Sequence, residues 1–571
     1  MDALFSVAMV RAPSPVAEIT KIQKWRDHVM FKQKIYALNS LPIIALPLSL
    51  AFTASAMALD ANEPNYDLKL LGKYVFFDKI SNPKRMACVT CHDPDTGGTG
   101  SVSGVNLHQV AITGANPHTV GSLKPPTNAY ASLIAPFNHD CGLGAPATGQ
   151  YCGGNFWNGR AEGRADGALF PLGATKHIGD EVFHGLSSSR PLEYATYFGP
   201  TSDQALNPMP NRVEQNIDRQ AVCRHVASAK YAELYRKAWG VDIDCSDTGI
   251  LAGYSAPDVP EGEKAFDISF KRIMLAVGAW QHSKELNSFS SRRDIALRQE
   301  LACPGAGVGD YAEYYDPGVC TDVNYIDSPG TFPLVGLTDQ ENLGHDLFYN
   351  TFLNPFGPGR NPGDNDLPNP ALPAANCSAC HSDNPGLAAG TEPPDDGTEP
   401  LQLYADDAYH NIGTPANPEL PADPDPGVGA HTGDFGEPQA RGQAGFNKTP
   451  TMRNVDKRKG KGFIKAYAHN GWFKSLESIV HFYNTADVTN PANGKTRCPD
   501  NTTTEKAALA NNCWPAPEWP GSVIGRTVGN MGMTAEQEAA IVAYLKALTD
   551  TETAKAPPPY KAAKTAKRYK R

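Results

Sequence analysis

Apolar residues recur at helical spacing in three parts of the chain, and each part predicts an amphipathic helix. The three sets are Leu68, Leu71, Val75 and Phe76; Phe266, Phe270, Ile273, Val277 and Trp280; and Ile541, Tyr544, Leu545 and Leu548. The third set follows Thr534-Ala-Glu-Gln537, a capping box that typically opens a helix. No stretch shows sustained alternation of apolar and polar residues, so we expect few strands and a mainly α fold.

Segments rich in glycine and proline interrupt this helical pattern. The 571 residues include 52 glycines and 48 prolines, concentrated at 137–154, 354–375 and 385–440. This distribution predicts long loop insertions on a helical scaffold. The formal charge of -10 gives no reason to expect nucleic acid as a partner, because nucleic-acid binders carry clustered positive charge. The basic tail, 551–571, is expected to be a solvated end rather than an anchor to an acidic surface.

The N-terminal region has the order of a secretory signal. A short basic segment, Met30-Phe-Lys-Gln-Lys34, precedes an apolar stretch around Leu41 to Phe52 and the small residues Ala54-Ser-Ala-Met-Ala58. A membrane anchor is the alternative, but the apolar stretch is shorter than the roughly 20 residues that a spanning helix needs. We therefore predict that residues 1–58 are a prefix and signal peptide. The mature protein is expected to be exported to the periplasm or outer surface of a bacterial cell.

Four of the twelve cysteines form two identical motifs, Cys88-Val-Thr-Cys91-His92 and Cys377-Ser-Ala-Cys380-His381. Each is the C-x-x-C-H pattern of covalent c-type haem attachment, in which two thiols bind the porphyrin and the histidine binds the iron. Zinc is the alternative, and it would need a fourth ligand beside each Cys-Cys-His set. The sequence therefore predicts two covalently bound haem c groups.

The other eight cysteines form an even set that could be disulfide-bonded in an oxidising compartment. Neighbours along the chain suggest the pairs Cys141 with Cys152, Cys223 with Cys245, Cys303 with Cys320, and Cys498 with Cys513, although sequence alone leaves the connectivity open. With two haem motifs, we expect two cytochrome c-like haem domains. They would span 59–300 and 335–550, joined by a linker at 301–334.

Several blocks together resemble the bacterial di-haem cytochrome c peroxidase and MauG superfamily. They are Leu71-Gly-Lys-Tyr-Val-Phe-Phe-Asp78, Phe156-Trp-Asn-Gly-Arg-Ala161, Lys448-Thr-Pro-Thr-Met-Arg-Asn-Val455, Ala468-His-Asn-Gly471 with Ser475-Leu-Glu477, and the terminal helix Ala543-Tyr-Leu-Lys-Ala-Leu-Thr549. They occur in the family's order over roughly residues 65 to 550, interrupted by insertions.

The resemblance implies roles for residues near the first motif. His92 would be the proximal ligand of the haem that reacts with peroxide, and His381 the proximal ligand of the second haem. Trp157 matches the family's tryptophan between the haems. Gln204 and Glu214 keep the spacing of the family's distal Gln and Glu, which makes Glu214 the acid/base candidate; a surface glutamate is the alternative.

The distal ligand of the second haem divides the family, with methionine in cytochrome c peroxidases and tyrosine in MauG-type proteins. Tyr483 takes this position here, and Met531 or Met533 is the alternative. His108 lies where peroxidases that need reductive activation keep a removable distal histidine of the first haem. His118 competes for that role, and a solvated loop histidine is the alternative for either.

A calcium ion between the haems is also implied by the family, but its site is altered in this sequence. Lys124 stands at the family's asparagine position, and Ile464-Lys465-Ala466 replaces its Thr-x-Pro. We therefore expect calcium to be disfavoured, because a lysine ammonium could supply the charge instead.

The resemblance implies a peroxidase that reduces hydrogen peroxide with electrons drawn through the second haem. MauG-like behaviour, with high-valent iron shared over both haems, is favoured by Tyr483 because an anionic phenolate stabilises oxidised iron. The electron donor would be a small cytochrome c or copper protein, or the substrate would be a protein oxidised at an aromatic side chain. A cytochrome c peroxidase needing reductive activation and a non-catalytic di-haem electron-transfer protein are the alternatives. Family members are often dimers, so a homodimer is one expected arrangement.

Overall fold

The computed structural model describes residues 55–138, 151–163, 177–186, 189–249, 264–302, 332–349, 372–373, 375, 377–381, 401–420, 425–432, 443–524 and 528–561. They belong to one compact unit, Thr53–Arg571; a second unit, Met1–Phe52, lies outside the described residues. In the described part of the chain, no helix is both long enough and apolar enough to cross a membrane.

The described secondary structure is mostly helical. The helices are α1 (Tyr66–Phe77), α2 (Cys88–Cys91), α3 (Ser103–Leu107), α4 (Arg190–Tyr194), α5 (Pro200–Ala205), α6 (Arg219–Ser228), α7 (Glu233–Trp239), α8 (Ala265–Gln281), α9 (Arg292–Leu301), α10 (Asp339–Tyr349), α11 (Val428–Thr432), α12 (Leu476–Thr485), α13 (Glu505–Ala510) and α14 (Ala535–Ala547). The strands are β1 (Ser55–Met57), β2 (Tyr409–His410), β3 (Asn447–Lys448), β4 (Thr496–Arg497), β5 (Cys513–Trp514) and β6 (Glu552–Ala554). The predicted mainly α character is confirmed.

The three helices predicted from periodicity are confirmed as α1, α8 and α14. The capping box before α14 is also present, with Thr534 accepting from the backbone N–H of Gln537. Helix α1 packs so closely on α8 that a β-carbon at Gly72 would collide with the backbone carbonyl of Ala276. Helix α14 approaches α10 in the same way, where Gly344 lies against the carbonyl of Ala540.

Apolar side chains gather in two clusters. The N-terminal cluster contains residues of α1, α6, α7 and α8, and the side chains of Cys88 and Val89 pack against it. The C-terminal cluster contains residues of α9, α10, α12 and α14, and Cys377 packs against it. Each cysteine-histidine motif therefore adjoins its own apolar cluster. The domain boundary at 301–334 stays a prediction.

The strands form three short pairs. Strands β1 and β6 pair in parallel, β2 and β3 pair antiparallel, and β4 and β5 pair in parallel. The last pair brings Thr496 opposite Cys513. The predicted disulfides Cys223–Cys245 and Cys498–Cys513 are both confirmed.

The remaining predicted disulfides involve residues that are largely not described. Cys152 is disulfide-bonded, and its predicted partner Cys141 lies outside the described residues. Cys303 and Cys320 also lie outside them.

A buried ionic group links α9 to the segment after β3. The Arg453 guanidinium donates to both carboxylate oxygens of Asp294, at 2.7 and 3.0 Å. Arg293 donates to the same carboxylate at 3.3 Å, and all three side chains are fully buried. The rings of Tyr130 and Phe289 lie under the Arg453 guanidinium. This group fixes the C-terminal segment against the middle of the chain.

Candidate functional site

The first cysteine-histidine motif forms helix α2 and the residue that ends it. Cys88 and Cys91 are free cysteines, and each is half-buried. The His92 Nδ1 atom lies 3.1 Å from the carbonyl oxygen of Gly98. Because a carbonyl only accepts, we assign the proton to Nδ1, which leaves the lone pair of Nε2 for a metal. Burial lowers the pKa of His92, so the ring is neutral as metal ligation requires.

Glu214 lies close to this motif. The adjacent Gln215 donates from Nε2 to the Cys88 sulfur at 3.5 Å, and Asn211 donates to Glu214 Oε1 at 2.6 Å. Burial, and then the nearby Glu214 charge, raise the pKa of both Cys88 and Cys91. The carboxyl of Glu214 therefore lies near enough to both thiols for its charge to act on them.

Burial also prepares Glu214 to hold a proton. It raises the pKa of Glu214, against the opposing effects of the Asn211 hydrogen bond and the Arg160 charge. A carboxyl with a raised pKa keeps its proton to a higher pH than an ordinary glutamate, which suits a group that takes up and releases protons. The alternative of a surface glutamate is not favoured, because the side chain is half-buried and hydrogen-bonded.

The other distal candidates lie elsewhere in the structure. Gln204 is half-buried in α5, and no hydrogen bond joins its side chain to Glu214 among the described residues. His108 is exposed, with Nδ1 3.0 Å from the Glu419 carboxylate. His118 is exposed, and its backbone N–H donates to Asn116. The distal roles of Gln204, His108 and His118 stay predictions.

Trp157 lies beside Lys124 and His469, near the second site. Its indole Nε1–H donates to the carbonyl oxygen of Lys124 at 2.7 Å, and the side chain is buried. Its ring centroid lies 6.3 Å from that of His469, in an edge-on arrangement. The backbone N–H of Lys124 in turn donates to the carbonyl of His469 at 2.9 Å. The indole is therefore fixed to the backbone of Lys124, which is itself joined to His469.

The second motif opens onto a cavity of about 200 Å³. Cys377–Ala379 form one 3-10 turn, and the thiols of Cys377 and Cys380 are free. His381 is buried, with Nδ1 3.1 Å from the Tyr404 carbonyl, and this again leaves Nε2 for a metal. Burial lowers the pKa of His381 to about 4.

The cavity also receives the three candidates for the distal ligand. Tyr483 lies on α12, while Met531 and Met533 precede α14, and all three line the cavity together with Trp157. Burial, followed by the charges of Cys380 and Cys377, holds the pKa of the Tyr483 phenol well above its usual range. Tyr483 is therefore close to the two thiols.

The residues of both motifs fit covalently attached haem. Each motif presents two free thiols and a histidine whose Nδ1 is satisfied by a backbone carbonyl. The zinc alternative fits less well. In the part of the chain that the structure describes, one cluster could hold a metal ion, made of Cys380, Asp406 and His410. It includes neither Cys377 nor His381, so it does not complete the four-ligand set that zinc would require.

Three charged residues near the site were missed by sequence reasoning. The guanidinium of Arg160 lies 3.8 Å from the centre of the Phe156 ring, and its charge acts on both Glu214 and Asp425. The Asp425 backbone N–H donates to Glu518 at 2.8 Å. Arg160 stands inside the Phe156–Ala161 block, which could have drawn attention to it.

Glu518 extends this polar group to the neighbourhood of Trp157. Its second carboxylate oxygen lies 3.0 Å from His469 Nε2 and accepts from Asn470 at 2.7 Å. Asp425 and Glu518 belong to loops without a recognisable pattern, so no sequence signal could have found them.

Comparisons with known proteins show what this chain resembles. A family model described as di-haem cytochrome c peroxidase matches residues 67–302. The methylamine utilization protein MauG of Paracoccus denitrificans (strain Pd 1222) is 24% identical over 515 residues, which cover 88% of this chain and 94% of that protein. The crystal structure of the di-haem peroxidase BthA from Burkholderia thailandensis E264 is similar in fold. It is 20% identical with a TM-score of 0.51, covering 88% of this chain and 89% of that one.

These findings confirm the resemblance to the di-haem cytochrome c peroxidase and MauG superfamily. The superfamily consists of oxidoreductases, so a general role in peroxide reduction or electron transfer fits this chain.

Proposed function

We propose that this protein is an exported di-haem c-type peroxidase of the MauG-like kind, which reduces hydrogen peroxide with electrons from a partner protein. The observation that carries the proposal is the position of Glu214, a carboxyl with a raised pKa beside the thiols of Cys88 and Cys91. When bound, the two haems supply the redox chemistry, with peroxide taken up at the first.

The two motifs would hold the haems. Cys88 and Cys91 would form the thioether links to the first haem and Cys377 and Cys380 those to the second. His92 and His381 would be the proximal ligands. Their Nδ1 contacts to backbone carbonyls support this role, because such a contact fixes the orientation and tautomer of a ligating imidazole.

Glu214 would move the proton that peroxide cleavage requires. As a carboxylate, Glu214 would accept the proton of one peroxide oxygen, and as the carboxylic acid so formed it would donate that proton to the other oxygen, so that water leaves instead of hydroxide. Asn211 would hold the carboxyl in place through its 2.6 Å hydrogen bond. The Arg160 guanidinium would limit the rise of the Glu214 pKa, so that the proton remains exchangeable.

Trp157 and Tyr483 would serve the second haem. The buried indole lines the second cavity and donates to the Lys124 carbonyl, which supports a role in carrying electrons. Tyr483 would bind the second iron, and an anionic phenolate favours its oxidised form. The partner would be a small cytochrome c or copper protein, or a protein oxidised at an aromatic side chain.

The acid/base role is tested with Glu214→Gln in the haem-loaded protein. We expect steady-state peroxide turnover to fall about 100-fold or more, the usual contribution of general acid-base catalysis. Glu193→Gln is the matched control, because Glu193 is an exposed glutamate paired with Arg190 on the surface, and turnover should be unchanged. Turnover by Glu214→Gln equal to that of the control would show that Glu214 is not the acid/base group.

The ligand of the second haem is tested by comparing Tyr483→Phe, Met531→Leu and Met533→Leu. We expect only Tyr483→Phe to change the absorption and magnetic resonance spectra of the second haem. A change in a methionine variant instead would favour the cytochrome c peroxidase alternative. The resting ferric protein should also show a high-spin signal that peroxide abolishes; its absence would favour a non-catalytic electron-transfer protein.

A further inference from the structure

The ammonium group of Lys465 lies among three backbone carbonyls. Its Nζ donates to Asn454 O at 2.7 Å, to Thr96 O at 2.9 Å and to Lys457 O at 3.2 Å. The side chain is only 4% exposed, and no ion pair with a carboxylate is found for it among the described residues. A buried charge without such a partner needs dipoles to replace its hydration. We call Lys465 and these three carbonyls the lysine cage.

Three carbonyl acceptors match an ammonium, which has three N–H donors, better than a neutral amine, which has two. Burial, followed by the charge of Lys124, lowers the pKa of Lys465 well below its usual value, and the charge of Asp456 acts in the opposite direction. The lysine cage therefore resembles a cation site in which the lysine ammonium takes the place of a bound metal ion.

Calcium does not fit at this place. Calcium takes six to eight oxygen ligands at about 2.3–2.6 Å, carboxylates commonly among them. Here the Lys465 ammonium already occupies the space between the three carbonyl oxygens of the lysine cage. A second ammonium, that of Lys124, donates to Thr99 Oγ1 at 2.8 Å, so two positive charges would repel an added divalent ion.

The surrounding backbone is shaped for the lysine. Gly97 has φ of 75°, a left-handed conformation that favours glycine. A β-carbon there would lie 2.8 Å from the Asn454 carbonyl oxygen and 3.2 Å from Lys465 Nζ. Any other residue at 97 would therefore push on the lysine cage.

We propose that Lys465 is a built-in cation that joins the segment after the first haem motif to the C-terminal segment, so that the protein needs no calcium between its haem motifs. Thr96 lies just after His92, whereas Asn454 and Lys457 belong to the C-terminal half. Both Lys465 and Lys124 line the cavity of the second motif. The lysine cage thus ties the two haem sites together without an exchangeable metal.

The first test uses the wild-type holoprotein. After dialysis against a chelator, and separately against calcium chloride, we would measure its calcium content by elemental analysis and its thermal midpoint. We expect far less than one calcium per chain under either condition, with equal midpoints and haem spectra. One tightly bound calcium per chain, or a midpoint that falls on chelation, would overturn the proposal.

The second test uses variants of the holoprotein. Lys465→Met keeps the length of the side chain but has no donor, and we expect its midpoint to fall by several degrees. Lys461→Met is the matched control, because Lys461 is exposed in the same segment, and its midpoint should not change. Equal midpoints for the two variants would contradict the proposal. If Lys465→Met does not fold, the calcium content of the wild type still tests the proposal.

Discussion

The carboxylate of Asp294 is the shared counter-ion of two buried guanidinium groups, and Asp294→Asn removes its charge with little change of shape. The variant loses a two-point contact with Arg453, at 2.7 and 3.0 Å, and a contact with Arg293 at 3.3 Å. The carboxylate also accepts from the backbone N–H and hydroxyl of Ser291, which caps α9. The buried guanidinium groups of Arg453 and Arg293 would then lose the negative charge that Asp294 supplies.

The expected loss is about 3–5 kcal/mol of unfolding free energy, the range found when one member of a buried ion pair is removed. Because the asparagine oxygen can still accept one hydrogen bond, we expect a value near the lower end, about 3 kcal/mol. This corresponds to a decrease of about 100-fold in the folded-to-unfolded ratio.

Urea unfolding of the holoprotein, followed by circular dichroism, measures this loss. Asp242→Asn is the control: its carboxylate is 88% exposed and pairs with Arg236 at 4.0 Å, so we expect a loss of less than about 1 kcal/mol. A loss for Asp294→Asn no larger than that of the control would refute the reasoning that the two guanidinium groups depend on this carboxylate.

The difference between wild type and Asp294→Asn should also depend on pH. Burial raises the pKa of Asp294, but the charge and hydrogen bonds of Arg453 and the charge of Arg293 outweigh it, and the pKa lies well below its usual value. A depressed carboxyl pKa stabilises the fold fully above the unfolded-state pKa, about 3.9. The difference should therefore be constant near neutral pH and shrink as the pH falls below about 4. A difference that does not change between pH 7 and pH 3 would contradict the role of the charge.

Three further predictions concern the site and its support. Trp157→Phe should slow peroxide turnover supported by the electron donor, with haem content unchanged, because the buried indole and its hydrogen bond are lost; stopped-flow absorption of the two haems measures it, and an unchanged rate would exclude an electron-carrying role. The double variant Cys498→Ser with Cys513→Ser should lower the unfolding free energy by about 3 kcal/mol, since this disulfide spans 15 residues; an unchanged urea midpoint would contradict this. Gly97→Ala should lower the thermal midpoint more than Gly494→Ala, because both have positive φ but only a β-carbon at Gly97 meets other atoms; equal midpoints would mean that the contact is relieved without cost.

Local patterns in the sequence predicted the local parts of this structure. Helix α8 could be predicted because its large apolar side chains recur at helical spacing along the chain, although the structure buries nearly all of its residues. The disulfide Cys223–Cys245 could be predicted because its two cysteines are close in sequence. The two C-x-x-C-H motifs could be recognised as candidate haem sites because covalent attachment requires two thiols and a histidine at fixed spacing.

Long-range polar contacts could not be predicted in this way. The contact of Asp425 with Glu518 joins two loops, and nothing in either loop marks the other. The lysine cage could be predicted from the sequence only in part. A changed residue at 465 indicated that a cation could be replaced, but the acceptors are backbone carbonyls, which every residue possesses and which only the fold brings together.

The lysine cage also sets an order of events while the protein is made. Lys465 and Thr96 are 369 residues apart, and Tyr74 donates to the Pro558 carbonyl across 484 residues. A chain synthesised from its N-terminus therefore completes the first haem motif long before the segments that secure it exist. If haem is attached at Cys88 and Cys91 as proposed, we expect the attachment to precede the final closure of the fold.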